Sequence, residues 1–264
     1  MILTTALLLA AVSIPADVWN LPTLLTVKEN GPRTYRFTVD YFGSDIRGQI
    51  TSRQHVVGDY TRGLPNDERR WNNVTVAMGV GSGDPGPGQK REFMENFRYQ
   101  GAVGHETLKP EFFKSFPPMA AHERNLVWDT QMFEAFGQEE FAHLKLNEPY
   151  HAMTGEELEL GGAGRFQNRD IQLTWTGISR RNGQDCAVIE YRAYFNPLDL
   201  AMAGVEVKGR SHYWGLIWVS LTTKQIEYGT LYEDVLGDMK LPGQDRPAPM
   251  NVFRIGTFEP VIVK

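Results

Sequence analysis

Two alternating apolar runs joined by Asn182-Gly183 constrain this chain more than any other feature. Asn-Gly favours the two-residue turn whose twist matches that of paired strands. Ile171, Leu173 and Trp175 share one face before it, and Ala187, Ile189, Tyr191 and Ala193 share one face after it. A plain hairpin would pair Arg181 with Gln184 and, further along, Trp175 with Glu190 and Leu173 with Arg192. Apolar side chains would then oppose polar ones. One additional residue near Gly177 removes the conflict, setting Trp175 opposite Ile189 and Leu173 opposite Tyr191. The sequence therefore predicts a β-bulge at Gly177 or Ile178, where glycine is the expected residue type.

The chain continues as a meander. Asn196-Pro197-Leu198-Asp199 is expected to end the second strand, and the next runs from about Val205 to Thr222. Thr223-Lys224 reads as a turn, Ile226 to Lys240 as a strand, Pro242 to Pro249 as a loop and Val252 to Val263 as a final strand. The strand from Val205 changes character halfway. Val205-Glu206-Val207-Lys208 alternates, as a half-wet strand should. Glu206, Lys208, Arg210 and His212 form its wet face, where Lys208 and Glu206 could pair with Glu190 and Arg192. Tyr213 to Val219 is apolar on both faces, so Trp214, Leu216 and Trp218 require cover from the chain or from a ligand.

The N-terminal half also alternates. Tyr35, Phe37, Val39 and Tyr41 mark a half-buried strand, Ile46 to Asp59 a second, and Val74, Val76, Met78 and Val80 a third. Gly79 to Gly88 has too much Gly and Pro for a regular element. Phe93, Phe97 and Tyr99 suggest a short strand or helix. Between Pro110 and Lys145 the alternation stops. Phe112, Phe113, Phe116 and Met119 follow helical spacing up to Pro117-Pro118. Leu126, Phe133 and Phe136 lie on one side of a helix, with Phe141 and Leu144 in a shorter one beyond Gly137. A helix packed on a sheet buries such a stripe. The fold class is α+β: a curved antiparallel sheet, half-barrel-like, with a helical segment near residues 110–145 on its concave face. Strands fill 33–100, the helical middle 105–147 and the meander 165–263, in one domain over 17–264.

Composition bounds the function. The 14 Phe, 10 Tyr and 6 Trp suit pleated surfaces, and a net charge of −5 argues against nucleic acid as a partner. Cys186 is the single cysteine, which excludes an intrachain disulfide and a multi-cysteine zinc site; its apolar neighbours Ala187, Val188 and Ile189 place it in the core. Ile2 to Val12 is apolar apart from Thr4 and Thr5, and Ser13-Ile14-Pro15-Ala16 follows. This run is too short to span a bilayer and matches a secretory signal over residues 1–16, cleaved after Ala16 or Ser13, although no Lys or Arg precedes it. The expected location is periplasmic or secreted, in a bacterium, with no transmembrane span.

Catalytic motifs fail on inspection. His105-Glu106-Thr107-Leu108-Lys109 and His122-Glu123-Arg124-Asn125-Leu126 lack the second histidine of a zinc-protease helix. Gly209-Arg210-Ser211-His212-Tyr213 lacks the closing glycine of a nucleophile elbow. Gly79 to Gly83 lacks the Gly-Lys-Ser/Thr of a phosphate loop. No catalytic residue, metal or cofactor follows. Trp71, Trp128, Trp175, Trp214 and Trp218 are residue types that stack on sugars, but tryptophan is more often core.

The stretch Gly215-Leu216-Ile217-Trp218-Val219-Ser220-Leu221-Thr222-Thr223-Lys224-Gln225-Ile226-Glu227-Tyr228 is similar to a hairpin of bacterial lipoprotein-carrier proteins, and the order of elements resembles theirs. The resemblance implies an incomplete barrel, helices capping its concave face, and an apolar cavity whose ligand is an acyl chain. The expected site then comprises Trp214, Leu216 and Trp218 on the sheet, facing Leu126, Phe133 and Phe136 on the helix. The partner would be an apolar or amphiphilic small molecule. Alternatively the chain is a structural or assembly component bound to another envelope protein. A hydrolase acting on glycans or lipids would instead gather His122, His143, His151 or His212 with acids.

Overall fold

A computed structural model describes residues 31–100 and 107–262. The signal-like segment 1–16 and the histidine of the 105–109 motif lie outside them. Among the described residues, eleven strands form one antiparallel sheet. They are β1 (Arg33–Ser44), β2 (Ile50–Leu64), β3 (Glu68–Val80), β4 (Gln89–Lys90), β5 (Phe97–Gln100), β6 (Tyr150–Glu159), β7 (Gly164–Arg181), β8 (Gln184–Met202), β9 (Val205–Ser220), β10 (Ile226–Lys240) and β11 (Ala248–Pro260). Their order across the sheet is β4-β3-β2-β1-β11-β10-β9-β8-β7-β6, with β5 beside β3. The pairing of β1 with β11 joins the two halves of the chain into one surface. The sheet is curved and half-barrel-like, and the helical middle lies on its concave face.

A bulge is present, one residue before the expected Gly177 or Ile178. Trp175 pairs with Ile189 and Gly177 with Val188, so Thr176 is the unpaired residue. Gly177 takes φ +153°, a backbone conformation that costs glycine little and other residues much. Leu173 faces Tyr191, as the register argument requires.

The expected end of β8 at Asn196-Pro197 is corrected. The strand continues to Met202 and turns at Ala203-Gly204, and a bulge at Tyr194-Phe195 takes the place of a chain reversal. The β7–β8 ladder lapses between Phe166–Leu198 and Ile171–Ala193, so Pro197 occupies a stretch with no β7 partner. A proline tolerates that position because it has no donor to lose. Asn196, fully buried, patches the gap: its Oδ1 accepts from the Arg169 N–H at 3.1 Å and its Nδ2 donates to the Ser211 carbonyl at 3.2 Å. The longer strand also changes its neighbours. Lys208 faces Asp199 and Glu206 faces Ala201, whereas Glu190 and Arg192 face Leu216 and Trp214.

Helix α1 spans Ala121–Glu134 and runs on through a π turn (Ala135–Glu139) and a 3-10 turn (Glu140–His143). Gly137 continues the helical segment where a break was expected. A Cβ on it would lie 3.1 Å from Ile217 Cγ2, so the π turn lies directly against β9. Phe133 fills the space between α1 and the sheet. Its ring stacks on Phe258 at 5.3 Å and meets Phe37 edge-on at 5.8 Å and Tyr191 at 6.2 Å. Burying one such ring is worth about 1.5–3 kcal/mol. Gly229 makes room for it: a Cβ there would approach the Phe133 ring to 2.7 Å.

Buried charge fixes the helix in register. Asp129 and Glu233 share the Arg254 guanidinium, and Ser211 Oγ donates to Glu233 at 2.5 Å. Five residues on, Glu134 accepts from Tyr60 at 2.7 Å and pairs with Arg62 at 3.0 Å and Arg69 at 3.4 Å. Near the other end, Arg91 pairs with Glu123 at 2.8 Å. Each buried carboxylate needs its partner, so sliding the helix by one residue would strand several charges at once.

Candidate functional site on the open face of the sheet

The six residues expected to form one site do not come together. Leu126, Phe133 and Phe136 are buried on the helix-covered face. On β9 the buried residues there are Ser211, Tyr213, Gly215, Ile217 and Val219. Trp214, Leu216 and Trp218 alternate with them and point to the opposite, open face, where each is half-buried. The helix therefore covers the partners of these side chains along the strand and not the side chains themselves. Sequence alternation showed two apolar faces on β9. The signal that distinguishes them is Gly215 and Gly229, since glycine within a strand marks close approach by another group.

On the open face the rings cover one another only in part. Trp214 lies directly opposite Tyr232 in the β9–β10 ladder, and the two rings stack at 5.9 Å. Phe253 on β11 lies 6.4 Å from Trp214, and Phe42 on β1 is the ladder partner of Phe253. Arg53 on β2 caps this row, its guanidinium 5.4 Å from the Phe42 ring. Trp218 and Tyr228 form a second pair at 5.3 Å, with Arg181 3.7 Å above the Tyr228 ring. Tyr232, Phe253 and Phe42 were missed in the sequence. Phe42 directly follows Tyr41, and Tyr232 directly follows Leu231, so each broke an alternation and thereby signalled a second apolar face.

Trp214, Phe253, Phe42 and Ile50, with Ser44, Asp234 and Asn251, line an open depression of about 470 Å³. The depression is open to solvent on one side, with apolar and polar residues both in its lining. Aromatic rings held on adjacent strands offer a rigid surface whose side-chain entropy is already lost.

The histidines occupy separate settings. His122 meets Tyr41 edge-on at 4.6 Å, and burial, then Arg254 and Arg91, push its pKa down to about 4, so it is neutral at pH 7. His143 stacks on Tyr150 at 5.2 Å, and His151 bonds Asp170 at 2.6 Å. His212 Nδ1 accepts from the Phe195 N–H at 3.4 Å. Among the described residues no three or more His, Cys, Asp or Glu gather as a metal site, and no helix is long and apolar enough to cross a membrane. Cys186 is buried, and burial pushes its thiol up to about 11.

The fold defines a class: a large curved antiparallel sheet with one face plugged by a helix and the other carrying open aromatic rows. No protein-family model and no curated protein matches the sequence, so the lipoprotein-carrier resemblance has no family match behind it. Among solved structures the chain is similar to lipovitellin, in a structure concerning its lipid–protein interactions, with a TM-score of 0.37 and 12% identity over 89% of this chain. The chain spans 26% of the length of lipovitellin.

Proposed function

We propose that the protein is an exported, non-catalytic binding protein of the bacterial envelope, and that its ligand is apolar or amphiphilic. The carrying observation is the row Trp214, Tyr232, Phe253 and Phe42 across four adjacent strands of the open face. Apolar surface of this kind gains when a hydrocarbon chain displaces its water, by about 25 cal/mol per Å². Asp234 and Asn251 in the same depression suit the polar part of an amphiphile. The helix–sheet interface, where the ligand was expected, is filled around Phe133 by protein side chains.

Titration with dodecyl maltoside below its micelle concentration tests this reading. Saturable binding by calorimetry, weakened at least tenfold by Trp214→Ala, is the expected result. Absence of binding, or equal binding by Trp214→Ala, removes the reading. Export predicts that protein recovered from a bacterial envelope fraction begins after Ala16 or Ser13, and an intact Met1 would contradict it.

The assembly reading is favoured by one observation. Ile46, Met78 and Val80 are 80%, 64% and 93% exposed at the same end of β1–β3. Sedimentation distinguishes the two: an oligomer that Val80→Asp dissociates supports assembly, and a monomer counts against it.

A further inference from the structure

Four polar side chains run in a continuous hydrogen-bonded chain across β6, β7 and β8 on the open face. His151 Nδ1 lies 2.6 Å from Asp170 Oδ1, and Gln172 Nε2 donates to Asp170 Oδ2 at 2.8 Å. Gln172 Oε1 in turn accepts from Arg192 Nε at 3.1 Å and Nη2 at 2.9 Å. The chain ends on an exposed guanidinium held along one edge. Its Nη1 forms a loose ion pair with Glu190 at 4.0 Å, beyond hydrogen-bond distance.

Around this arginine the strand is distorted. The Tyr194-Phe195 bulge sets Phe195 at φ 59°, an uncommon conformation for a bulky residue, and the His212 ring backs it at 4.7 Å. The result is outward presentation of two rings, Tyr194 at 44% and Phe195 at 55% exposed. Arg169, Arg192, Tyr194 and Phe195 converge on an open depression of about 370 Å³. Asp170 also lines it, but both its oxygens are engaged within the chain. Two guanidiniums border the depression; of the two carboxylates beside them, Asp170 is engaged by His151 and Gln172, and Glu190 meets Arg192 as a loose ion pair at 4.0 Å.

We infer that this depression binds a small planar acid, a carboxylate carried on an aromatic ring. The carboxylate accepts from Arg192 and Arg169, and the ring packs against Tyr194 and Phe195. Planar guanidinium matches carboxylate in geometry and stacks on rings, which an ammonium does not. Fixing Arg192 in advance spares the entropy of ordering it on binding. Strain at Phe195 fits a residue positioned for contact. The inference goes beyond the amphiphile reading and does not depend on the Trp214 row.

NMR titration of the whole protein with benzoate tests it, with acetate supplying the charge alone and benzyl alcohol the ring alone. Benzoate is expected to saturate, binding at least tenfold tighter than either. Arg192→Gln should weaken benzoate about tenfold, the loss of one charge-assisted contact. Gln172→Leu, which keeps the arginine but frees it, should weaken benzoate by a smaller factor while the native spectrum persists. Equal responses to all three compounds, no response to benzoate, or no effect of Arg192→Gln overturns the inference.

Discussion

Gly229→Ala probes the contact between helix and sheet directly. Its Cβ would lie 2.7 Å from Phe133 Cε1, 2.9 Å from Cδ1 and 3.2 Å from Cζ. Carbon atoms prefer about 3.5–4.0 Å, so the ring must retreat by roughly 1 Å. Retreat is blocked, because Phe258 stacks against Phe133 and Phe37 and Tyr191 meet its edges. Overpacking of a filled core costs about 1–3 kcal/mol. For a chain of this size that corresponds to a Tm lowered by roughly 2–12 °C. Scanning calorimetry measures it, and adding Phe133→Leu should recover part of the loss. An unchanged Tm would contradict this packing, since it would mean that helix and sheet leave enough space for a methyl group, and hence the beginnings of an internal cavity.

Other expectations follow from the buried charge and the thiol. Arg254→Met leaves Asp129 and Glu233 without their shared cation and should cost about 3–5 kcal/mol in urea unfolding; a loss below 1 kcal/mol would contradict the clamp. Burial raises the Asp129 carboxyl from its ordinary 3.8 to about 7, with Arg254 opposing the rise and Glu233 adding to it. The folded state then holds more protons than the unfolded state between those values, so this group's contribution to stability falls as pH rises from about 4 to 7. Asp129→Asn should flatten that part of the urea-midpoint profile, and parallel profiles would refute it. Cys186, buried and with its thiol at about 11, should resist a thiol reagent at pH 8 and react fully in denaturant; rapid reaction of the folded protein would place it elsewhere.

Much of the sheet was legible because hairpin register leaves arithmetic traces. The Thr176 bulge followed from the need to keep Trp175 off Glu190, and β10 occupies the expected Ile226–Lys240. The continuation of β8 through Asn196-Pro197 was not legible, since it depends on a lapse in the β7 ladder that Asn196 fills from the side. The site was half legible. Apolar residues on both faces of β9 were visible, but which face receives the helix is decided by Gly215, Gly229 and the charges on α1. Those contacts join residues far apart in the chain. The pairing of Arg192 with Trp214, and so the setting of both open-face depressions, was hidden for the same reason.

Paramagnetic broadening from a spin-labelled dodecyl amphiphile locates the ligand on one face of the sheet, because tryptophan indole signals report both faces. Trp214 lies on the open face, while Trp71 and Trp175 are buried on the helix-covered side. Bound amphiphile is expected to broaden the Trp214 signal first and to spare Trp71 and Trp175. Broadening of Trp71 or Trp175 with Trp214 unaffected would place the ligand beneath the helix and contradict this expectation.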